Sequence, residues 1–217
     1  MNPNYTHDFS SASIKHQIEA ELYQIVGNNL GCNKSTTIVT GPDYKRHIDN
    51  YRKYVNNSTN LRICEINTDI FIDIYQGCKN IPNVTVVNKS VELFGSSFID
   101  CDLTCISDID VIKKTLLKQI EIQLSASQSK AFIFSIGLRD SNGAHKLHTI
   151  VSPIFGMLGS QCVSTNVKSS SIKGACGSFL FKKEVRFGTS KSRIKEYKCY
   201  SYNAGGGPML TCLIIYK

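Results

Sequence analysis

No apolar run in this 217-residue chain approaches the roughly 20 residues needed to span a bilayer, so a membrane partner is not expected. Met1 to Asp8 is polar and holds no apolar signal core, so the chain is not expected to be secreted, and a reducing cytoplasm is the expected location. The sequon Asn83-Val84-Thr85 is then chemically idle. None of the nine cysteines forms a Cys-x-x-Cys pair, and no Cys/His cluster has zinc spacing, so the thiols read as reduced core residues and no metal is expected. Tryptophan is absent while Lys, Asn and Ile abound, which hints at an AT-rich genome and a viral source. There is no internal repeat and no domain boundary. The chain reads as one domain over residues 13–217 behind a disordered tail, 1–12, which is small, polar and without period.

What is present is basic. Twenty-five Lys and Arg stand against seventeen Asp and Glu, a net charge of +8, and this favours an anionic partner, nucleic acid first. A hydrophobic content of 41% is enough for a real core in a chain of this length.

The order of elements follows from periodicity. Ile14, Ile18, Leu22 and Ile25 form one stripe, which predicts a helix from Ser13 to about Asn28, packed on a sheet edge and without a chemical role. Thr36 to Thr40 is a β-branched strand, turned by Gly41-Pro42-Asp43 into a helix whose inner face is Tyr44, Ile48, Tyr51 and Val55. Leu61 to Ile66 is the second strand. Asn67 caps the next helix, with Asp69 in its first turn. Val84 to Val87 and Phe98 to Asp102 are the third and fourth strands. A long helix from about Asp108 to Ser125 carries Ile109, Ile112, Leu116, Ile120 and Leu124 on one stripe. The continuous apolar run Ala131 to Ile136 suits a central parallel strand. A loop from Leu138 to His145, a short helix from His148 to Leu158 broken near Pro153, and a strand at Phe179 to Phe181 follow. Tyr197 to Tyr202 and Met209 to Tyr216 close the chain as a hairpin around Asn203 to Pro208. Strands alternating with helices, then an antiparallel pair, predict a three-layer, Rossmann-like α/β sheet, mainly parallel.

This order resembles the class I S-adenosylmethionine-dependent methyltransferase fold: a helix before the first strand, five strand–helix units and a terminal hairpin. The resemblance implies S-adenosylmethionine as cofactor. Its glycine-rich loop corresponds here to Thr40-Gly41-Pro42-Asp43, with a single glycine, so Thr40, Gly41 and Asp43 are candidate cofactor contacts. The acid that ends the family's second strand and holds the ribose hydroxyls corresponds to Glu65, in Ile63-Cys64-Glu65-Ile66-Asn67, so Glu65 and Asn67 are candidate cofactor contacts as well. Asp100-Cys101-Asp102-Leu103 resembles the Ile-Asp-x-Asp pattern of some RNA guanine methyltransferases without their proline. Asp100 or Asp102 would then orient the acceptor group or take its proton.

The residues support other readings of the same positions. Asp100 and Asp102 alternate along a strand and share a face, where two like charges raise one pKa or recruit a cation; a metal-dependent nuclease is therefore a third reading. Structural roles compete as well, Glu65 as a cap or ion pair and one aspartate as a helix cap. Lys182, Lys183, Arg186, Lys191, Arg193 and Lys195 are interleaved with Phe179, Phe181, Phe187, Tyr197 and Tyr200, a pattern that can track phosphates and stack unpaired bases. Ser164 to Ser178 is Ser/Gly-rich and is expected to be a mobile, substrate-facing loop. Two functions stay open: a methyltransferase acting on nucleic acid, and an inert module of the same fold used for nucleic-acid binding or assembly.

Overall fold

The computed structural model describes residues 13–30, 35–56, 60–104, 106–124, 129–138, 143–159, 161–164, 168–169, 175–177, 180–182, 193–204 and 207–217. The tail 1–12 lies outside them. In chain order the elements are α1 (Ile14–Leu30), β1 (Thr36–Val39), a 3-10 turn (Gly41–Asp43) and α2 (Tyr44–Asn50), which continues as a π turn (Tyr51–Val55). Then come β2 (Leu61–Cys64), α3 (Thr68–Cys78), β3 (Val84–Val87), a 3-10 turn (Val91–Leu93), β4 (Phe98–Asp102), α4 (Ile109–Leu124), β5 (Lys130–Gly137) and α5 (Gly143–Met157). Four short strands, β6 (Gln161–Ser164), β7 (Lys168–Ser169), β8 (Ala175–Gly177) and β9 (Leu180–Lys182), precede the long pair β10 (Ile194–Ala204) and β11 (Gly207–Tyr216).

The main sheet runs β3-β2-β1-β4-β5-β11-β10-β8-β7. Its first five strands are parallel, and β11 is inserted antiparallel between β5 and β10. β6 and β9 pair with each other, outside that sheet. The expected strand at Phe179 to Phe181 is thus β9, but it does not join the main sheet. The expected loop Ser164 to Ser178 holds β7 and β8, and β8 adds to β10 at the sheet's edge.

Both faces of the sheet are covered, which explains the unbroken apolar run of β5. Ile133 points to the side of α1, α2 and α3, with Ile18, Leu22, Ile38, Ile63 and Leu213. Phe132 and Phe134 point to the side of α4 and α5, with Ile112, Leu116, Ile154 and Ile214. Each fully buried aliphatic side chain here contributes about 1.5–3 kcal/mol relative to its exposed state. Helix α5 differs from expectation: it begins at Gly143, inside the predicted loop, and runs through Pro153. A proline within a helix removes one backbone hydrogen bond, and the buried Ile150, Ile154, Phe155 and Leu158 supply the packing that offsets it.

Helix α1 also departs from its predicted place. It lies across the sheet face over β5, β10 and β11, against the α2 π turn, rather than on an edge. Gly27 is what lets it come so close: a Cβ there would sit 1.9 Å from the Tyr54 carbonyl oxygen. A second polar stripe, Lys15, Glu19 and Tyr23, runs beside the apolar one and turns toward β4.

β1 lies beside β4, with β2 and β3 built out on one side and β5 on the other. The strand order reverses at that point, and the carboxyl ends of strands at such a reversal are where open α/β sheets place their ligands.

Candidate functional site

The carboxyl ends of β1, β2 and β4 open into a cavity of about 370 Å³. Thr40, Gly41, Asp43, Glu65, Asn67 and Asp102 all line it. The structure therefore brings together six of the seven cofactor and catalytic candidates. The seventh, Asp100, is absent from the lining and sits deeper along β4.

Gly41 turns the chain at the end of β1 with φ of +56°, a left-handed conformation that glycine adopts without strain. Nothing lies within 4 Å of where its Cβ would be, so the turn faces open space. Thr40 donates its hydroxyl to the Gly41 carbonyl at 3.1 Å. At the end of β2, the Glu65 backbone N–H is still held by the Val87 carbonyl (3.1 Å), which fixes the residue at the rim. Its Oε1 accepts the Asn67 N–H at 2.8 Å. Asn67 in turn caps α3, its Oδ1 accepting from Asp69 N (3.0 Å) and Ile70 N (3.2 Å). Glu65 is thus both the brace of a helix cap and a carboxylate on the cavity wall. Apolar side chains of Val39, Ile66, Ile70, Leu103, Ile106 and Val111 complete the walls.

Asp102 ends β4. Its Oδ2 accepts from the Lys15 ammonium at 2.6 Å and its Oδ1 from Thr104 N at 3.3 Å. Burial pushes the Asp102 carboxyl up, but the Lys15 ammonium and His47 outweigh it and hold the group below the usual range. Lys15 reaches the cavity from α1, one turn before Glu19 and two before Tyr23.

Behind this wall is a closed ionic network. Tyr23 donates to Asp100 Oδ2 at 2.6 Å, and His47 Nδ1 lies 3.0 Å from the same oxygen. Arg46 contacts Glu19 (Nε to Oε2 2.5 Å), Asp43 and His16. With its proton on Nδ1, His47 donates to Asp100 and its Nε2 accepts from Arg46 at 3.3 Å. Burial works to lower the His47 pKa, but Glu19 and Asp100 raise it by more, so it stands above its ordinary value. Asp100 is 1% exposed, with Tyr23 and His47 on it, so it orients those side chains rather than a ligand.

Glu19, His47 and Asp102 offer ligand atoms within 4.8 Å of one another, which is metal-like spacing. The chain's own cations already fill that role: Lys15 is on Asp102 and Arg46 is on Glu19. A divalent ion there would have to displace both.

Sequence reasoning misses Lys15, Glu19, Tyr23, Arg46 and His47. The only signal is a four-residue spacing of polar groups on α1, running beside the apolar stripe. Of the basic candidates, Lys182 belongs to β9, and Lys183, Arg186 and Lys191 are outside the described residues. Arg193 and Lys195 are exposed at the start of β10, where Lys195 donates to Ser129 Oγ at 2.6 Å. Of the interleaved aromatics that are described, Tyr197 packs edge-on against Phe155 and Tyr200 is buried, so neither is an outward stacking platform.

No helix among the described residues is long and apolar enough to cross a membrane. No family model matches the sequence, and no curated protein matches it. Solved structures do. The N-methyltransferase NodS from Bradyrhizobium japonicum WM9 in complex with S-adenosyl-L-homocysteine is similar over 98% of this chain and 93% of its own, at 7% identity and a TM-score of 0.55. The O-methyltransferase from Bacillus cereus, also in complex with that product, matches over 98% and 84% at 11% identity and a TM-score of 0.55. The precorrin-6y C5,15-methyltransferase from Geobacter metallireducens GS-15 matches over 93% and 88%, at 10% identity and a TM-score of 0.53. Identities this low speak to the fold alone. With the strand order, the inserted antiparallel β11 and the crevice at the β1–β4 reversal, they make this chain's fold that of the class I S-adenosylmethionine-dependent methyltransferases.

Proposed function

We propose that this chain binds S-adenosylmethionine in the crevice and directs methyl transfer to nucleic acid. The observation that carries the reading is Glu65: the carboxylate at the end of β2, braced by Asn67, on the wall of a cavity that Asp43 and Asp102 also line and that is otherwise largely apolar. That donor set fits an adenosyl group. A carboxylate accepts two vicinal hydroxyls in fork geometry, the apolar walls suit a base, and the open space over Gly41 leaves room for backbone approach.

When bound, the cofactor supplies an electrophilic methyl group. The chain's own part is positioning. Glu65 and Asn67 hold the ribose end, and the turn Thr40 to Asp43 sets the depth of the site. Asp102, kept ionised by Lys15, lines the crevice at the end of β4 with Oδ2 on Lys15 and Oδ1 on Thr104 N, and a remaining lone pair can orient an acceptor amine or hydroxyl. A base in a duplex would have to leave the stack to reach it. The net charge of +8 supports an anionic acceptor. The reduced thiols of Cys64, Cys78, Cys101, Cys199 and Cys212 suit a reducing cytoplasm, and the Lys/Asn/Ile-rich composition suits a viral source.

The test is transfer of labelled methyl from S-adenosylmethionine to single-stranded and duplex RNA and DNA, comparing the native chain with Asp102→Asn. Label in nucleic acid that falls at least tenfold in the variant supports the reading. No label in any acceptor, with the cofactor bound, favours the second reading.

That second reading is an inert module of the same fold. Two observations favour it: β1 is followed by Thr40 and a single glycine, and Asp100 is consumed by Tyr23 and His47.

A further inference from the structure

On the far side of the Pro42–Asp43 ridge from the crevice lies a second concavity of about 720 Å³, between α1 and α2. Pro42 and Asp43 line both. We propose that this groove is a docking site for a single strand of nucleic acid, and so leads the acceptor to the crevice. The inference deepens the proposed function and rests on it for the identity of the acceptor.

The groove's chemistry points to a phosphate backbone. Lys45 and Lys53 are exposed on α2 and its π turn, and neither is in an ion pair among the described residues. They are eight residues apart, about 12 Å along a helix at 1.5 Å per residue. Each lies by a tyrosine: Lys45 Nζ is 5.9 Å from the Tyr44 ring centre and Lys53 Nζ is 4.9 Å from that of Tyr54. Half-buried Tyr54 packs against the core beneath and carries Lys53 over its ring, which holds that ammonium at the groove wall. Arg46, at the groove's floor, is already balanced by Glu19 and Asp43, so it anchors the floor rather than adding free charge. One carboxylate, Asp49, sits between the two lysines on the same face and opposes an anionic strand.

The π turn helps explain why the lysine-bearing segment stands clear. The close backbone approach of Gly27 and Tyr54 pins the turn onto α1. Lys45 and Lys53 are exposed on that segment, and His16 and Ala20 of α1 form the opposite wall of the groove.

The opposing charge makes the test directional. A labelled single-stranded oligonucleotide of about 12 nucleotides, within the span of known single-strand sites, is titrated by anisotropy against the full chain. Lys45→Glu with Lys53→Glu is expected to weaken binding at least tenfold. The slope of log affinity against log salt should also fall by about 0.7 for each phosphate that is no longer neutralised. Asp49→Asn is expected to tighten binding severalfold, a gain that damage to the fold would not give. Lys114→Glu with Lys118→Glu, both exposed on α4, is the control matched in net charge. The proposal is overturned if the native chain does not bind the strand, if the α4 pair of substitutions weakens binding as much as the Lys45/Lys53 pair, or if Asp49→Asn has no effect. It is also overturned if an acidic peptide competes as well as the oligonucleotide, since the groove would then take anionic protein instead. Calorimetric titration of the same variants with S-adenosylhomocysteine separates the two claims. Failure there with strand binding intact removes the cofactor reading and leaves the groove.

Discussion

Tyr23 donates its hydroxyl to Asp100 Oδ2 across 2.6 Å, between a residue of α1 and one of β4 that are 77 positions apart. Both are buried, so neither can turn to water when the other is removed. Tyr23→Phe is expected to destabilise the chain by about 1–3 kcal/mol, the penalty for a buried acceptor that loses a donor. Asp100→Ala leaves Tyr23 and His47 without their shared acceptor and should cost about 3–5 kcal/mol. Denaturant melts of the two variants check this. Equal stability of native and Asp100→Ala chains would move Asp100 from the framework to the chemistry.

Stability should depend on pH from two sides. His47 faces Tyr23, Glu19, Arg46 and Asp100, and its folded pKa is raised above 6.5. Its contribution is therefore full below pH 6.5 and is lost as pH rises through the folded value. Asp102, with its pKa lowered from 3.8 by Lys15 and His47 against the effect of burial, contributes above pH 3.8, and that is lost as pH falls through its folded value. A melting temperature that declines as pH rises above about 6.5, and less so in His47→Gln, is the expected outcome. A flat profile in the native chain would contradict the network.

Two glycines should respond to alanine in different ways. At Gly27 the added Cβ would lie 1.9 Å from the Tyr54 carbonyl, so α1 must shift from the π turn, at about 1–3 kcal/mol or more. At Gly41 the Cβ meets nothing, and only the left-handed backbone opposes it, at about 1–2 kcal/mol. Thermal melts rank the two. S-adenosylhomocysteine titration of Gly41→Ala then reads whether a methyl over the crevice obstructs the ligand.

Much of the sheet is legible in the sequence because its signals are local. Strand runs such as Val84 to Val87, the Asn67 cap and the carboxylate at Glu65 each depend on neighbours a few residues away. The role of α1 is not legible, for the opposite reason. Burying Lys15, Glu19 and Tyr23 is tolerable only because Asp102, Arg46 and Asp100 meet them, 87, 27 and 77 residues further along. A periodicity count rewards apolar residues and passes over a polar stripe whose partners are remote. Strand alternation puts Asp100 and Asp102 on one face, but only the tertiary structure separates them: one meets the cavity and the other is enclosed. Propensity alone breaks helix α5 near Pro153, whereas the packing of Ile154, Phe155 and Leu158 carries it through.

The central claim is that Glu65 holds the sugar of an adenosyl ligand. The most direct measurement is calorimetric binding of S-adenosylhomocysteine and its 2′-deoxy analogue to the native chain and to Glu65→Gln. The expected result is saturable binding that falls about 10- to 100-fold on loss of either the hydroxyl or the carboxylate, with little further loss when both are absent, as for a charge-assisted hydrogen bond worth about 1.5–3 kcal/mol. Equal affinity for the two ligands in the native chain, or no binding at millimolar concentration, would contradict it.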